Sequence, residues 1–328
     1  MISLDHLWML AAALLIDAAI GDPDLIWRRV PHPVAWIGAA IAWFDRLLNR
    51  PALPGWARRA LGALTMVILI ALAAAVGFGL EWLFRQNRYG AAGTIVVAAI
   101  LLAGRSLYDH AAAVANAFAA GGLTAARSAV ARIVGRDPAT LDEAGVSRAA
   151  IESVAENFSD GVVAPALWFA IAGLPGLLAY KVINTADSMI GHLTARHHAF
   201  GWAAARLDDL VNWPMSRIAG SFLALAAPVA RRSVGAAFRT MLRDAPRHRS
   251  PNAGWPEAAM AGALGLALAG PRRYRGVLVD DPFLNPGGRR KAVPGDIRLS
   301  LRVYLAAWAI LSLAVAVAAV PVVIFARP

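Results

Sequence analysis

Glu152, Glu156, Asn157, Asp160, Lys181, Asn184, Asp187, His192, Arg206, Asp208 and Asp209 are threaded through the middle of this chain between segments apolar enough for a bilayer. An Asp, Lys or Arg at the centre of a membrane helix costs roughly 2.5–3.5 kcal/mol on insertion scales. A chain that keeps so many uses them. Composition agrees on the environment: the 328 residues are 59% hydrophobic and 16% charged, with mean hydropathy +0.54. Soluble domains are about 45–50% apolar and 25% charged. The expected class is an all-α, polytopic integral membrane protein.

The absence of cysteine excludes disulfides, thiolate metal sites and a cysteine nucleophile. The seven histidines show no HxxxH or HExxH spacing, which argues against zinc. The net charge of +11 comes without a stripe of Lys/Arg interleaved with aromatics. A membrane surface or an anionic substrate therefore fits better than nucleic acid.

Leu4 to Ile20 reads as a retained first span, because it lacks a basic n-region and a clean cleavage site. Arg28, Arg29, Arg46, Arg50, Arg58 and Arg59 follow, which places Gly21 to Arg59 in the cytoplasm and the N-terminus outside. Ala60 to Phe84 is expected to return outward, and Thr94 to Gly104 to come back, continuing helically through Leu107. Residues 1–104 thus form a membrane region of about three spans. Residues 105–160 are expected to form a cytoplasmic helical subdomain with a break at Gly121-Gly122 and a turn at Gly135-Arg136-Asp137-Pro138. Ser147 is the expected cap of the helix carrying Glu152 and Glu156, which share a face at i,i+4.

The run Val162 to Tyr180, broken at Gly173-Leu174-Pro175-Gly176, predicts a re-entrant helical hairpin of two pieces too short to span, whose turn stops short of the far side. The next helix should set Lys181, Asn184, Asp187, Ser188, Gly191 and His192 inward and Val182, Ile183, Ala186, Met189 and Ile190 outward. Residues 161–270 form a polar core with half-span helices, among them Met215 to Ala230 with its breaker Pro228. Residues 271–300 are a cytoplasmic loop, and 301–328 hold the last span.

Four blocks can carry chemistry. Asp22 and His32 sit in a Gly/Pro-shaped loop, where such residues more often serve as caps. Glu152, Glu156, Asn157 and Asp160 form an oxygen-rich set suited to Mg²⁺, which takes one or two carboxylates plus substrate phosphates. A solvated helix face explains them equally well. The Lys181–His192 stripe with Arg206, Asp208 and Asp209 offers acids for Mg²⁺ and cations for phosphate, although Arg206 and Asp209 also make a plain helical salt bridge. The loop from Asp244 to Gly262 carries His248, Asn252, Trp255 and Glu257, with Pro256 at a helix start. No Walker A, GxGxxG or GxSxG sequence is present.

These blocks resemble the CobD/CbiB family of cobalamin biosynthesis, the adenosylcobinamide-phosphate synthases. The matching stretches are GDPDLIWRRVPHPVAWIG, GRDPATLDEAGVSRAAIESVAENFSDGVVAPALWFAIAGLPGLLAYKVINTADSMIGH, FGWAAARLDDLVNWPMSRIAG, DAPRHRSPNAGWPEAAMAGALG and GPRRYRGVLVDDP, in that order. Phe158 and the FLNPGGRRKAV that follows depart slightly from the pattern. The resemblance implies an ATP-dependent ligase condensing adenosylcobyric acid with (R)-1-amino-2-propanol O-2-phosphate, or the free amino alcohol, through an acyl phosphate.

Placed on the matched positions, that chemistry assigns Mg²⁺ to Asp187, Asp208 and Asp209 with Glu152, Glu156 or Asp160, and phosphates to Lys181 and Arg206. His192 or His248 takes the amine proton or the aminopropanol phosphate. Asn157, Asn184, Asn252, Trp255 and Glu257 are the expected cofactor contacts, and Trp168, Trp202, Trp213 and Trp255 candidate corrin walls or interfacial rings. The resemblance implies a cell-membrane enzyme with its site facing the cytoplasm, and it admits a homo-oligomer and contact with other cobalamin-assembly enzymes. A membrane transferase using a Mg²⁺-bound diphosphate is the alternative, which a paired DxxxD-like cluster would favour. A transporter with broken helices is another, but it should show two matching halves.

Overall fold

The structure is a computed structural model that describes residues 4–134, 138–192, 194–274 and 277–325. Its helices are α1 (Leu4–Ile20), α2 (Asp24–Trp27), α3 (Pro33–Leu48), α4 (Gly55–Arg85), α5 (Gly90–Leu101), α6 (Gly104–Val130), α7 (Glu143–Asn157), α8 (Ala164–Ile190), α9 (Trp202–Leu225), α10 (Val234–Asp244), α11 (Gly254–Leu264) and α12 (Pro294–Phe325). A wide helical turn, Phe158–Val163, joins α7 to α8. Gly55–Arg85, Gly90–Val130, Glu143–Ile190 and Pro294–Val320 are long and apolar enough to cross a bilayer. The chain is an all-α polytopic membrane protein. At 17 residues α1 rises only about 25 Å, the short limit for a crossing.

The chain forms two compact units, discontinuous in sequence: Met1–Ala103, Ala164–Asn212 and Val315–Pro328 make the first, Gly104–Val163 and Trp213–Ala314 the second.

In the first unit α4 is the long strut. Between Arg59 and Arg85 its one charged residue is Glu81, and its outer face leaves Leu64, Val67, Leu72, Val76, Phe78 and Trp82 exposed, as a lipid-facing helix does. Its inner face meets α8, joining Met66 and Leu69 to Ile41, Val182, Ile183, Ala186, Ile190 and Phe200 in one core. The stripe on α8 therefore follows the sequence expectation only at Lys181, which is buried, and Met189, which is exposed; the rest is turned the other way. Val182, Ile183, Ala186 and Ile190 pack inward, while Asn184 and Asp187 are half-buried and Ser188 and His192 exposed. Apolar burial drives the rotation, since those four residues gain more from the helix core than the polar set would.

The break expected in Val162 to Tyr180 is present within α8: Ala172 (φ −136°) and Gly173 (φ +62°) leave the helical region, and a side chain is disfavoured at that positive φ. Pro175 falls in the first turn of the second arm, where its missing N–H costs nothing. Glu81 Oε1 accepts the Leu174 N–H at 2.8 Å and so caps that arm. Gly77 is needed beneath it, because a Cβ there would strike the Leu174–Pro175 backbone. One arm is longer than expected: residues 174–190 rise about 25 Å, the lower limit of a crossing. The third segment is also interrupted, because α5 stops at Leu101 and Leu102 turns extended (ψ 152°) before α6 starts.

In the second unit Gly121 and Gly122 break α6 as expected (φ −150° and +63°). The turn expected at residues 135–138 lies outside the described residues except for Pro138. Asp142, not Ser147, caps α7: its carboxylate accepts Gly145 N–H at 2.7 Å, and Ser147 lies one turn inside, buried. An aspartate just ahead of Glu143 caps earlier and adds a favourable charge to the dipole. Helices α10 and α11 cross at Gly262, where a Cβ would press on Ala237. Within 271–300 the chain is not only loop. Strand β1 (Leu268–Ala269) pairs antiparallel with β4 (Phe283–Leu284), and β2 (Arg272–Tyr274) with β3 (Val277–Val279).

Candidate functional site

Helices α8 and α9 of the first unit bring together Asn184, Asp187, Asp208 and Asn212. Asp208 is the pivotal group: burial first, then repulsion from Asp187, pushes its carboxyl up to about 7, against the opposing amides of Asn212 and Asn184. Asn184 Nδ2 stands 3.5 Å from Asp208 Oδ1. Fully buried Asn212 accepts the Tyr180 hydroxyl at 3.0 Å through Oδ1. Its amide nitrogen has no hydrogen-bond partner among the described residues, yet lies near enough to Asp208 to favour the charged form. Gly191 closes the end of α8, where a Cβ would overlap Asp187 Oδ1. Lys181 is buried at 7% exposure one and a half turns before Asp187. Arg206 and Asp209 make the helical pair foreseen, at 3.1 Å on an exposed face, and burial raises the Asp209 pKa against that arginine. Such a pair contributes little to stability.

Two carboxylates held close enough to repel, met by amide N–H groups and short of full ionisation, are a pair that a divalent cation would relieve. Among the described residues no three of His, Asp or Glu converge on one point, so any such ion takes its other ligands from substrate or water.

A second cluster of the first unit, unforeseen in the sequence, lies at the ends of α3 and α4. Asp45 takes Arg196 through two bonds (2.6 and 3.1 Å) and Asn49 at 2.7 Å; Asn49 in turn binds Arg58 Nε (2.7 Å) and the Arg196 carbonyl. His197 Nε2 faces Asp45 at 3.5 Å. Burial would raise the Asp45 pKa, but the Asn49 and Arg196 bonds and charges hold it below the usual carboxylate range. The cluster ties the segment after His192 to two helices. His32 caps α3, its Nδ1 accepting Val34 N–H and its Nε2 meeting the Ile100 carbonyl at 3.1 Å, with Asp22 3.7 Å away.

In the second unit Glu152 is buried and accepts the Ala269 N–H at 2.7 Å, fixing a residue at φ +56°. It therefore clamps β1. Glu156 and Asn157 are exposed and Asp160 half-buried, so Glu152 and Glu156 do not share one solvent face. Asn157 binds Ser153, whose hydroxyl donates to Ile133. Fully buried Asp244 takes Arg243 (2.6 and 2.8 Å) and the Asn285 N–H (2.8 Å). Burial pushes its pKa up, and those bonds hold it low. His248 Nδ1 accepts Ser250 N–H, and its Nε2 faces the buried Glu257 at 3.8 Å. Asn252 accepts the Ser216 hydroxyl at 3.4 Å. Arg217, also unforeseen, lies between Trp213 and Trp255, 4.3 Å from each ring centre, and burial pulls its pKa down. The spacing Trp213-x₃-Arg217 was the legible hint, since i,i+4 residues meet on a helix.

Fold and site define a helical membrane protein with a carboxylate pair between amide-bearing helices. Comparison makes this specific: residues 10–304 match the family model described as CobD/Cbib protein, and the chain belongs to that family. It is 51% identical over 324 residues to the cobalamin biosynthesis protein CobD of Sinorhizobium fredii (97% of this chain, 98% of that one). It is 49% identical over 328 residues to the protein of that name from Rhizobium meliloti (98% and 100%), and 46% over 312 to that of Rhodobacter capsulatus (95% and 97%). No solved structure matches.

Proposed function

We propose that this chain is an ATP-dependent amide ligase of cobalamin biosynthesis, joining adenosylcobyric acid to aminopropanol phosphate or the free amino alcohol at the cytoplasmic face of the cell membrane. Family membership supports the pathway. The observation that carries the chemistry is the Asp187–Asp208 pair, whose mutual repulsion suits a site made for Mg²⁺ and a polyphosphate.

A carboxylate is a poor acyl donor, so one of its oxygens must first take a phosphoryl group from ATP, releasing ADP. The amine then attacks the acyl carbon, phosphate departs with that oxygen, and one proton leaves the nitrogen. Bound Mg²⁺ would supply charge neutralisation at the phosphates. Asp187 and Asp208 would hold it, while Asp209, expected as a third ligand, pairs with Arg206 and makes no three-carboxylate group with them among the described residues. Lys181, buried in the first unit, would meet a phosphate, and Arg206 would have to exchange Asp209 for one. His192, exposed at the end of α8, or His248 takes the proton. Asn184 serves the first unit's ligand set, and Asn252, Trp255 and Glu257 that of the second. Glu152 is bound to Ala269, which leaves Glu156, Asn157 and Asp160 as the accessible groups of their block.

Incubating purified protein with adenosylcobyric acid, Mg²⁺-ATP and aminopropanol phosphate tests this, with corrin mass and nucleotide products followed together. A mass gain matching one amide, dependent on every component and accompanied by ADP, is expected. AMP in place of ADP would replace the acyl phosphate by an adenylate. No corrin product, with the free amino alcohol also tried, would overturn the ligase.

A further inference from the structure

The end of the first unit where α3 stops, α4 starts and the 194–201 segment returns is strongly basic. Asn49 and the Arg196 carbonyl both accept from Arg58, and Asp45 holds Arg196, which gathers Arg46, Arg50, Arg58 and Arg59 at this end. Arg50 Nε donates to the Leu47 carbonyl at 3.1 Å, and the Arg59 guanidinium lies over the Trp202 ring, 5.2 Å from its centre.

The charge here is lopsided. Residues 33–62 hold a single carboxylate, Asp45, residues 194–205 hold none, and Asp45 is already bound to Arg196. Among the described residues Arg46, Arg50, Arg58 and Arg59 pair with no carboxylate, and the hydrogen bonds they make go to neutral oxygens. Exposed among them are Trp43, Leu47, Trp56 and Trp202. Water suits the arginines but not the indoles. A bilayer interface suits both, taking the rings among the glycerol esters and the guanidinium groups on phosphates.

Depth agrees with charge. The outer face of α4 is apolar and exposed from Leu64 onward, five residues after Arg59 and therefore about 8 Å along the axis. The polar layer on each side of the hydrocarbon is about 5–8 Å thick, so these arginines fall at headgroup level when the apolar face lies in the bilayer. A second copy of the chain would set like charge against like, and a soluble phosphate would leave the indoles in water.

We propose that this end of the first unit is a docking surface for anionic phospholipid headgroups, with phosphates on Arg46, Arg50 and Arg59. The surface is independent of the reaction proposed above.

Full-length protein, stripped of lipid in detergent, is titrated with phosphatidylglycerol or with phosphatidylcholine of the same acyl chains, and bound lipid is counted by native mass spectrometry. Phosphatidylglycerol is expected to bind roughly tenfold or more tightly than phosphatidylcholine, with the preference shrinking as salt rises. The triple variant Arg46→Gln, Arg50→Gln and Arg59→Gln should weaken phosphatidylglycerol roughly tenfold; Arg58 is kept because it holds Asn49 and the Arg196 carbonyl. Arg231→Gln, Arg232→Gln and Arg239→Gln together remove the same charge from exposed positions of the second unit and should leave binding within about twofold of wild type. Thermal unfolding confirms that both variants are folded. Equal losses in the two triple variants would reduce the attraction to net charge and overturn the local surface, as would wild-type protein that shows no preference between the lipids. Displacement of phosphatidylglycerol by inorganic phosphate or ATP at comparable concentration would give the arginines to a soluble anion, and displacement by polyglutamate would give them to an acidic protein; either result overturns the lipid surface.

Discussion

Asp208 is held under tension by its surroundings, and the sign of its pH dependence follows. Folding raises its carboxyl from 3.8 to about 7, so the folded chain holds this proton more tightly than the unfolded one. Its favourable contribution is complete below pH 4 and is lost as pH rises to about 7, an upper bound on the order of 4 kcal/mol. Asp208→Asn, neutral at all pH, should therefore unfold at a higher temperature than wild type at pH 8 in chelator, and the difference should close by pH 4. Thermal unfolding at the two pH values checks this; equal differences would remove the buried charge from the account. Gly191 offers a complementary residue test. It follows the last turn of α8 at ordinary φ, but an added Cβ would overlap the Asp187 carboxylate oxygen and come within 2.7 Å of the Asp187 carbonyl, so alanine shifts that carboxylate and strains the end of the helix. Gly191→Ala should lower the melting temperature modestly and lose turnover by tenfold or more in the amide-forming assay; a folded variant with unchanged turnover would release Asp187 from the site.

Among elements, the broken helix α8 departs furthest from its sequence reading. The turn was legible, because glycine at φ +62° followed by proline has few other uses. Its depth was not. Glu81 caps the second arm, and Glu81 lies 22 residues beyond Arg59 on α4, about 33 Å along that helix and comparable with the whole hydrocarbon layer. The tip is level with the turn joining α4 to α5. A cysteine at Leu174 would be a poor probe, since that residue is fully buried, whereas Ala172 is exposed. Ala172→Cys should react with an impermeant thiol reagent from the same side of the membrane as Asn87→Cys. Reaction from the opposite side alone would show that the tip does not travel with the end of α4. The same limit explains the Asp45 cluster: Asp45, Asn49, Arg58 and Arg196 are ordinary surface residues in sequence, and only the return of the 194–201 segment onto α3 and α4 makes them a network around the buried Asp45 and Asn49.

At the scale of the whole molecule, hydropathy and glycine placement carried the fold class, because membrane helices must satisfy their backbone internally and leave few alternatives. Grouping of the site residues was less legible. Periodicity put Asn184 and Asp187 on one face but could not tell which face packs, and Glu152, spaced in sequence as a partner of Glu156, bonds instead to Ala269 more than a hundred residues later. What remains common to the molecule is a carboxylate pair that is costly without a cation. If Mg²⁺ with ATP satisfies that pair, ligand binding must stabilise the folded chain by mass action, about 2.7 kcal/mol at a hundredfold excess over Kd. Mg²⁺-ATP should then raise the melting temperature of wild-type protein at pH 8 by several degrees, and by more than ATP in chelator. Asp187→Asn and Asp208→Asn, relieved of the repulsion, should start higher and gain little from the metal. A metal-dependent rise of equal size in both variants would place the ion elsewhere, and the two aspartates would then need another reason for being held together.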